Sequence, residues 1–395
     1  MGAPGRSWAI AFNRNELGGA FGDIGTDLPL ILALIAINGL DATSAFVMFG
    51  VFQLLTAFRY GLPMPVQPLK AMAAIMITSQ PVLPPEVLYG GGLVVGATVL
   101  ILGLTGTIDR INALLPSGVV RGVQFGLGLS LMLVALGFML GDPAVPLVER
   151  LPGILLAVAG VVVVLLLGRS SRFPPALLLI AAGVGLAALS LDFGVLAAGI
   201  GFQLPQLYIP TLEAVVQGGL FLAVPQVPLS IANSIIATSF LVRDLYPQRT
   251  DVTPRRISLT YGAMNLVSPF FSGVPICHGS GGLAGHHRFG ARTGGSVIIY
   301  GTVFLILGLF FGSVIFEAVK VFPFPILGVL LVFEGLALAR LVTKVQDSRP
   351  DLLVALGVGV LVMGFQVIGL PYGFVVGILG GTAVYYFLVR RRSFS

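Results

Sequence analysis

The stretch GLPMPVQPLKAMAAIMIT, Gly61–Thr78, decides the fold because it combines features that a simple membrane helix excludes. Three prolines, Pro63, Pro65 and Pro68, keep the backbone extended, and Pro68 suits the first helical position, where a missing N–H costs nothing. The apolar run after Lys70 is too short to cross a bilayer. The stretch therefore predicts an extended lead-in followed by a half-length helix with a lysine at its start.

The composition places the rest of the chain in a membrane. Of 395 residues, 56% are hydrophobic and 10% are charged, too few to cover the surface of a soluble protein. Apolar runs recur throughout, which predicts one membrane domain over residues 1–395, and the first run lacks a signal-peptide cleavage pattern. One cysteine excludes a disulfide framework. Basic residues lie in short loops without interleaved aromatics, a pattern typical of membrane topology and not of nucleic-acid binding.

About fourteen apolar segments predict an all-α polytopic membrane protein. Most have about 17–25 residues, enough to cross ~30 Å of hydrocarbon. The third and tenth are short half-helices, each preceded by an extended stretch, and a helix of ~11 residues reaches ~16 Å, only to the midplane. The segments are 16–39, 42–60, 66–78, 88–108, 117–140, 151–168, 174–193, 211–241, 256–273, 276–288, 294–316, 322–342, 351–369 and 371–389.

The basic residues predict the orientation of these segments. With a cytoplasmic N-terminus and alternating crossings, only Arg150 and Lys320 fall in outer loops, and the other loop lysines and arginines face inward. This distribution predicts a multi-pass protein of the plasma membrane with both termini in the cytoplasm.

The two halves of the chain resemble each other. GGAFGDIGTDLPLILALIA, from Gly18, resembles GGLFLAVPQVPLSIANSIIA, from Gly218, and MPVQPLKAMAA, from Met64, resembles VPICHGSGGLA, from Val274. We interpret residues 1–195 and 205–395 as two repeats of seven segments, the second inverted because seven is odd, as in secondary transporters. Chance similarity among apolar runs is the alternative.

Two half-helices that start at the midplane favour an anion between them. Their unpaired backbone N–H groups and positive dipole ends need an acceptor in hydrocarbon. Lys70 opposes the dipole of its own helix, so a negative group should lie nearby. That group is either an anionic substrate or a carboxylate of the first segment, Asp23 or Asp27, and the sequence leaves both open.

Several polar side chains lie near the predicted helix tips. Uncharged donors suit an oxyanion, which only accepts hydrogen bonds, although such residues also join helices. They are Thr26, Gln67, Gln226, Asn233, His278 and Ser280. Glu334, inside the twelfth segment, is either a proton-coupling carboxylate or part of a buried structural ion pair, and we favour the pair.

Metal binding and enzymatic catalysis are not indicated. Cys277 and His278 lie too far from His286 and His287 along one short helix to share a zinc ion. No general base is placed beside a nucleophile, so we expect no enzyme activity and no cofactor.

Three motifs carry a family resemblance. The sequences GAFGDIGTDLPL, PMPVQPLKAMAA and PICHGSGGLAGHHRFGARTGG resemble signature segments of the molybdate transporters that are distantly related to the sulfate permeases. The resemblance implies the inverted-repeat fold of sulfate permeases and nucleobase transporters, with a substrate-carrying core, about 16–108 and 211–316, and a gate, about 109–195 and 317–390. It implies these substrate-binding residues: Gln67, Pro68, Lys70, Cys277, His278, Gly279, Ser280, Gln226 and Asp23.

We therefore expect a secondary active transporter that takes up a tetrahedral oxyanion by alternating access. Molybdate and sulfate share charge and shape, so the residues leave a sulfate or other oxyanion carrier open, and the resemblance favours molybdate. An anion channel is the weaker alternative, because one pair of opposed half-helices indicates a single occluded site. The expected partners are the anion and the lipid bilayer, and a homodimer is left open.

Overall fold

The computed structural model describes residues 10–108, 110, 116–168, 174–191, 193–368 and 372–392. The chain termini, which the sequence places in the cytoplasm, lie outside these residues. The described chain is helical apart from two short strands, β1 (Val66–Pro68) and β2 (Ile276–His278). The α-helices are α1 (Arg14–Ala20), α2 (Ile24–Asn38), α3 (Ala42–Tyr60), α4 (Lys70–Thr78), α5 (Pro85–Thr105), α6 (Ser117–Leu140), α7 (Leu147–Leu167), α8 (Pro175–Ser190), α9 (Phe193–Gly199), α10 (Leu212–Gly218), α11 (Val224–Leu229), α12 (Ala237–Leu245), α13 (Pro254–Val267), α14 (Ser280–Arg288), α15 (Gly295–Lys320), α16 (Phe324–Ala339), α17 (Arg349–Val367) and α18 (Gly373–Arg392).

The length and hydropathy of these helices identify a multi-pass membrane protein. Within the described ranges, nine helical stretches are long and apolar enough to cross a bilayer. Two shorter apolar helices, Pro175–Ser190 and Gly373–Phe387, accompany them. Large apolar side chains such as Leu189 and Leu207 are exposed, as expected for a surface that meets lipid.

The first crossing of each half is irregular, and the two crossings differ in form. The first is broken between α1 and α2, where Phe21 and Asp23 leave the helical conformation. The second stays helical from Leu212 to Leu245 but widens into π-helical turns at Gly219–Ala223 and Ser230–Ile236. These turns flank Val224–Leu229, which contains two prolines, and a π-turn absorbs the hydrogen bond that a proline cannot donate.

The short predicted segments at 66–78 and 276–288 are each a strand followed by a nine-residue helix, α4 or α14. The strands pair antiparallel, with Gln67 opposite Cys277 and Val66 opposite His278. Leu69 N also donates to Pro275 O at 2.9 Å. This pairing brings the starts of α4 and α14 together at the centre of the protein.

Side-chain amides satisfy the outer edges of both strands. Gln53 on α3 accepts from Val66 N at 2.9 Å and donates to Val66 O at 2.8 Å. Asn265 on α13 does the same for Ile276, at 2.9 Å from its N and 2.6 Å from its O. All four residues are buried, so these bonds supply the partners that extended backbone needs away from water. The same device therefore serves both halves of the chain.

Helix packing joins elements from both halves. Helix α3 packs along α15, and α5 packs along α10 and α13, whereas α6 packs along α16 and α17. Some of these contacts are backbone to backbone: a Cβ at Gly218 would lie 2.1 Å from Gly91 N, so only glycine permits α10 to approach α5 this closely.

Candidate functional site

A cavity of about 250 Å³ lies where the starts of α4 and α14 meet. Four groups of residues line it: the entry to α4, the entry to α14, the continuous stretch from α11 through the following π-helical turns to the start of α12, and the facing surfaces of α6, α16 and the 3₁₀ turn Arg340–Val345. The lining residues are Gln67, Lys70, Ala71, Arg121, Gln124, Leu127, Gln226, Leu229, Asn233, Ser234, Ala237, Cys277, Gly279, Ser280, Gly281, Ala337, Leu338, Leu341 and Lys344.

A larger cavity, of about 680 Å³, lies elsewhere and suits an anion poorly. Among the described residues, its lining includes Asp41, Glu86 and Glu317 but no lysine or arginine. Carboxylates repel an anion, whereas the described lining of the cavity at the helix starts has three basic side chains and no acidic one. The smaller cavity is therefore the candidate anion site.

Gln67 fixes the relative position of the two helix starts. Its Nε2 donates to Asp23 Oδ2 at 2.6 Å. Its Oε1 occupies the space above Gly279, where a Cβ would lie only 1.4 Å away. Gly279 therefore allows the amide of one half to lie against the backbone of the other.

Gln226 acts as a cap for α4. Its Oε1 accepts hydrogen bonds from Ala71 N at 3.0 Å and Met72 N at 3.2 Å, and its Nε2 donates to Ser230 Oγ at 3.0 Å. The sequence suggested that Gln226 donates to a ligand, but in this structure its amide is engaged with protein groups. Most of the donor capacity of the first turn of α4 is thereby satisfied internally.

The start of α14 differs from that of α4. Its N-cap is Gly279, which has no side chain to accept the free backbone N–H groups of the first turn. Gly279, Ser280 and Gly281 all line the cavity. The backbone N–H groups of the first turn and the Ser280 hydroxyl are thus placed to donate to a ligand in the cavity.

Lys70 forms an ion pair with Glu334 of α16. Lys70 Nζ lies 2.8 Å from Glu334 Oε1, and Thr26 Oγ1 donates to Glu334 Oε2 at 3.2 Å. The Lys70 side chain remains 28% exposed, whereas that of Glu334 is 4% exposed. The negative partner of Lys70 in this structure therefore comes from the twelfth predicted segment.

Asp23 and Asp27 are buried and make hydrogen bonds to other residues. Asp23 accepts from Gln67, and Asp27 Oδ2 accepts from the Tyr300 hydroxyl at 3.2 Å. Within the described part of the chain, neither carboxylate is in direct ion-pair contact with a lysine or arginine. The alternative in which one of them is the direct partner of Lys70 is wrong for this structure.

Strand geometry separates Cys277 from His278. Successive side chains of a strand point to opposite faces, so Cys277 lines the cavity while His278 points away from it. His278 Nε2 lies 3.0 Å from Thr260 Oγ1, and its ring packs edge-on against Tyr60. Pro68 of β1, and the Asp23 and Thr26 side chains, are also outside the cavity lining.

Three further residues, Arg121, Gln124 and Lys344, line the cavity without belonging to any of the sequence motifs. Arg121 Nη1 donates to Gln124 Oε1 at 2.8 Å and to Asn233 Oδ1 at 3.1 Å. The available signal was a basic residue inside an apolar segment, since Arg121 lies within the first turns of α6. Only the packing of α6 against the other lining elements shows that it faces the same cavity as Lys70.

Comparison with protein families gives one match that spans both halves of the chain. A family described as "Molybdate transporter of MFS superfamily" matches residues 15–131 and 218–338. "Molybdate transporter 2" of Arabidopsis thaliana is 33% identical over 387 residues, which cover 87% of this chain and 81% of the relative. "Molybdate transporter 1" of Chlamydomonas reinhardtii is 27% identical over 476 residues, which cover 94% of this chain and 91% of the relative.

Solved structures share the fold. The transmembrane domain of a cyanobacterium bicarbonate transporter, BicA, superposes with a TM-score of 0.66 at 19% identity, covering 91% of this chain and 98% of that domain. Murine Solute Carrier 26 family member A9, an anion transporter in the inward-facing state, gives a TM-score of 0.68 at 16% identity. The superposition covers 97% of this chain and 69% of that one. At these identities the superpositions show the fold alone.

Proposed function

The chain belongs to the molybdate transporter family, a family of membrane transporters and not of enzymes, and from that premise we propose that it takes up molybdate by alternating access. The named relatives transport molybdate, a tetrahedral oxyanion. The observation that carries the proposal is the cavity at the meeting point of α4 and α14, which combines an uncapped helix start with basic side chains.

We propose the inverted-repeat architecture of fourteen segments for this chain, with α4 and α14 as the half-helices of the third and tenth. The two regions that the family matches, one in each half, support it, as do the equivalent side-chain amides of Gln53 and Asn265 along the strands. In this arrangement the core, about 16–108 and 211–316, contains the packed helices α3, α5, α10, α13 and α15, and the gate, about 109–195 and 317–390, contains α6, α16 and α17.

The anion binds between the core half-helices on the side that faces the gate. It accepts hydrogen bonds from the first turn of α14 and from the Ser280 hydroxyl, and Lys70 provides positive charge. A cavity of about 250 Å³ is equivalent to roughly eight water molecules at about 30 Å³ each, so a tetrahedral oxyanion fits with part of its hydration shell.

The orientation follows from the basic loops. With these in the cytoplasm, we propose that Lys344, an exposed residue of the cavity lining, marks the cytoplasmic side of the cavity, as in an inward-facing state. In this orientation the protein occupies the plasma membrane with cytoplasmic termini. Rocking of the core against the gate then exposes the same site to the outside.

Uptake of labelled molybdate into proteoliposomes tests this proposal. Wild-type protein is expected to accumulate molybdate, with little competition from excess sulfate. Lys70→Ala is expected to abolish uptake, whereas Lys320→Ala, which removes an exposed lysine paired with Glu317, is the matched control.

Two results would contradict the proposal. Strong inhibition by sulfate would instead assign a sulfate or general oxyanion carrier. Single-channel currents in planar bilayers would replace the carrier mechanism with an anion channel.

A further inference from the structure

Arg121 crosses the cavity from the gate to the core. It projects from α6, and Nη1 makes both of its hydrogen bonds, to Gln124 on its own helix and to Asn233 on the π-helical stretch. Gln124 is fully buried. The two amide oxygens hold one edge of the guanidinium, which leaves Nη2 and Nε for oxygens of another group.

The charges around the cavity single out Arg121. The Lys70 ammonium is already paired with Glu334, and Asp23 and Asp27 lie within its electrostatic range. Arg121, in contrast, has no aspartate or glutamate in ion-pair contact anywhere in the described ranges. A cation inside a membrane protein is costly without a negative partner. Lys344, the third basic side chain of the lining, is exposed, so the partly buried positive charge without an acidic partner in the described ranges belongs to Arg121.

We infer that Arg121 is an anion-contacting residue contributed by the gate, an inference that rests on the proposed function. The guanidinium presents two parallel N–H donors that match two oxygens of a tetrahedral oxyanion. Ser280 and the first turn of α14 line the cavity from the core, and Arg121 lines the same cavity from α6. Gln124 and Asn233 are positioning residues, since they orient the guanidinium without contacting the anion.

Contact between Arg121 and the anion has a second consequence, for the link between core and gate and for selectivity. Core and gate both touch one bound anion, so occupancy joins the two parts across the cavity. Since the charge on Lys70 is shared with Glu334, Arg121 contributes the charge that favours a dianion over a monovalent anion such as nitrate. Selectivity between anions of different charge is therefore a direct readout of Arg121.

Equilibrium binding of molybdate to purified protein tests the inference. We expect Arg121→Gln to weaken binding at least tenfold and to reduce the preference for molybdate over nitrate. Arg121→Lys keeps the charge but loses the fork, so an intermediate affinity is expected. The matched control is Arg59→Gln, which removes an exposed arginine that lies over the Tyr60 ring, away from the cavity.

Several outcomes are informative. Wild-type molybdate affinity and nitrate selectivity in either Arg121 variant would overturn the inference. If Arg121→Gln does not fold, the test rests on Arg121→Lys, which keeps the positive charge. A purely structural role would lower the melting temperature without changing selectivity, which would also overturn it. If the wild type binds sulfate and not molybdate, the proposed substrate is wrong, and the same variants titrated with sulfate still test Arg121.

Discussion

Replacing Glu334 with glutamine is expected to lower the stability of the anion-free protein and to raise its affinity for molybdate. The substitution removes the carboxylate charge that holds Lys70 Nζ at 2.8 Å. The glutamine oxygen can still accept the hydrogen bond from Thr26, so the change isolates the ion pair from its neighbour.

The geometry sets the magnitude. Unit charges 2.8 Å apart attract by about 6 kcal/mol at an effective dielectric constant of about 20, and desolvation of both groups offsets part of this. Removing one partner of a buried pair costs about 3–5 kcal/mol. Because the Lys70 side chain is 28% exposed and retains some hydration, we expect the lower end, about 3 kcal/mol.

A bound anion would recover much of this loss. In the wild type the anion competes with Glu334 for the Lys70 ammonium, whereas in the variant the ammonium is free. Recovery of about 1.4–3 kcal/mol corresponds to molybdate binding about 10- to 100-fold tighter than in the wild type. Uptake should nevertheless fall, because an anion held too tightly is released slowly.

The assay is thermal unfolding of purified protein across a molybdate titration, with binding measured on the same samples. Molybdate should raise the melting temperature more in Glu334→Gln than in the wild type. Glu317→Gln is the control, since it breaks an exposed pair, Glu317 with Lys320 at 2.6 Å, which contributes little. An equal molybdate-induced shift in the variant and the wild type would refute competition between Glu334 and the anion.

Three further substitutions test the architecture of the site. Gly279→Ala should displace the Gln67 amide and weaken molybdate binding at least tenfold, whereas Gly137→Ala, with open space around it, should not; equal affinities would contradict this packing. Glu16→Ala removes the carboxylate that accepts hydrogen bonds from three backbone N–H groups at the start of α15. The free energy of unfolding should fall by about 3 kcal/mol or more, and an unchanged melting temperature would contradict this capping role of Glu16. His278→Gln should leave molybdate affinity near wild type in titrations, since this side chain faces away from the cavity, and a large loss of binding would return it to the site.

The sequence by itself located the apolar segments and the two short helices. Predicted segments 42–60 and 117–140 coincide with α3 and α6. The prediction that Pro68 takes the first helical position is wrong, because Pro68 ends β1, Leu69 is the N-cap and α4 begins at Lys70. These features follow from local rules: hydropathy sets the length of a membrane helix, and proline fixes the backbone around it. Local reasoning placed Gln67, Lys70, Ser280 and Gln226 near one another, the family resemblance added Cys277 and Gly279, and all six line one cavity.

Only the tertiary structure decided what each polar side chain contacts. Lys70 pairs with Glu334, from the other half of the chain, and not with Asp23 or Asp27, which are nearer to it in sequence. Gln226 caps α4 instead of presenting a free amide. The physical reason is that a polar group at membrane depth must find a partner, and the packing of distant helices determines which partner is within reach. Helix rotation and strand alternation then decide which side chains line the cavity, and neither can be derived from the spacing of residues along the chain.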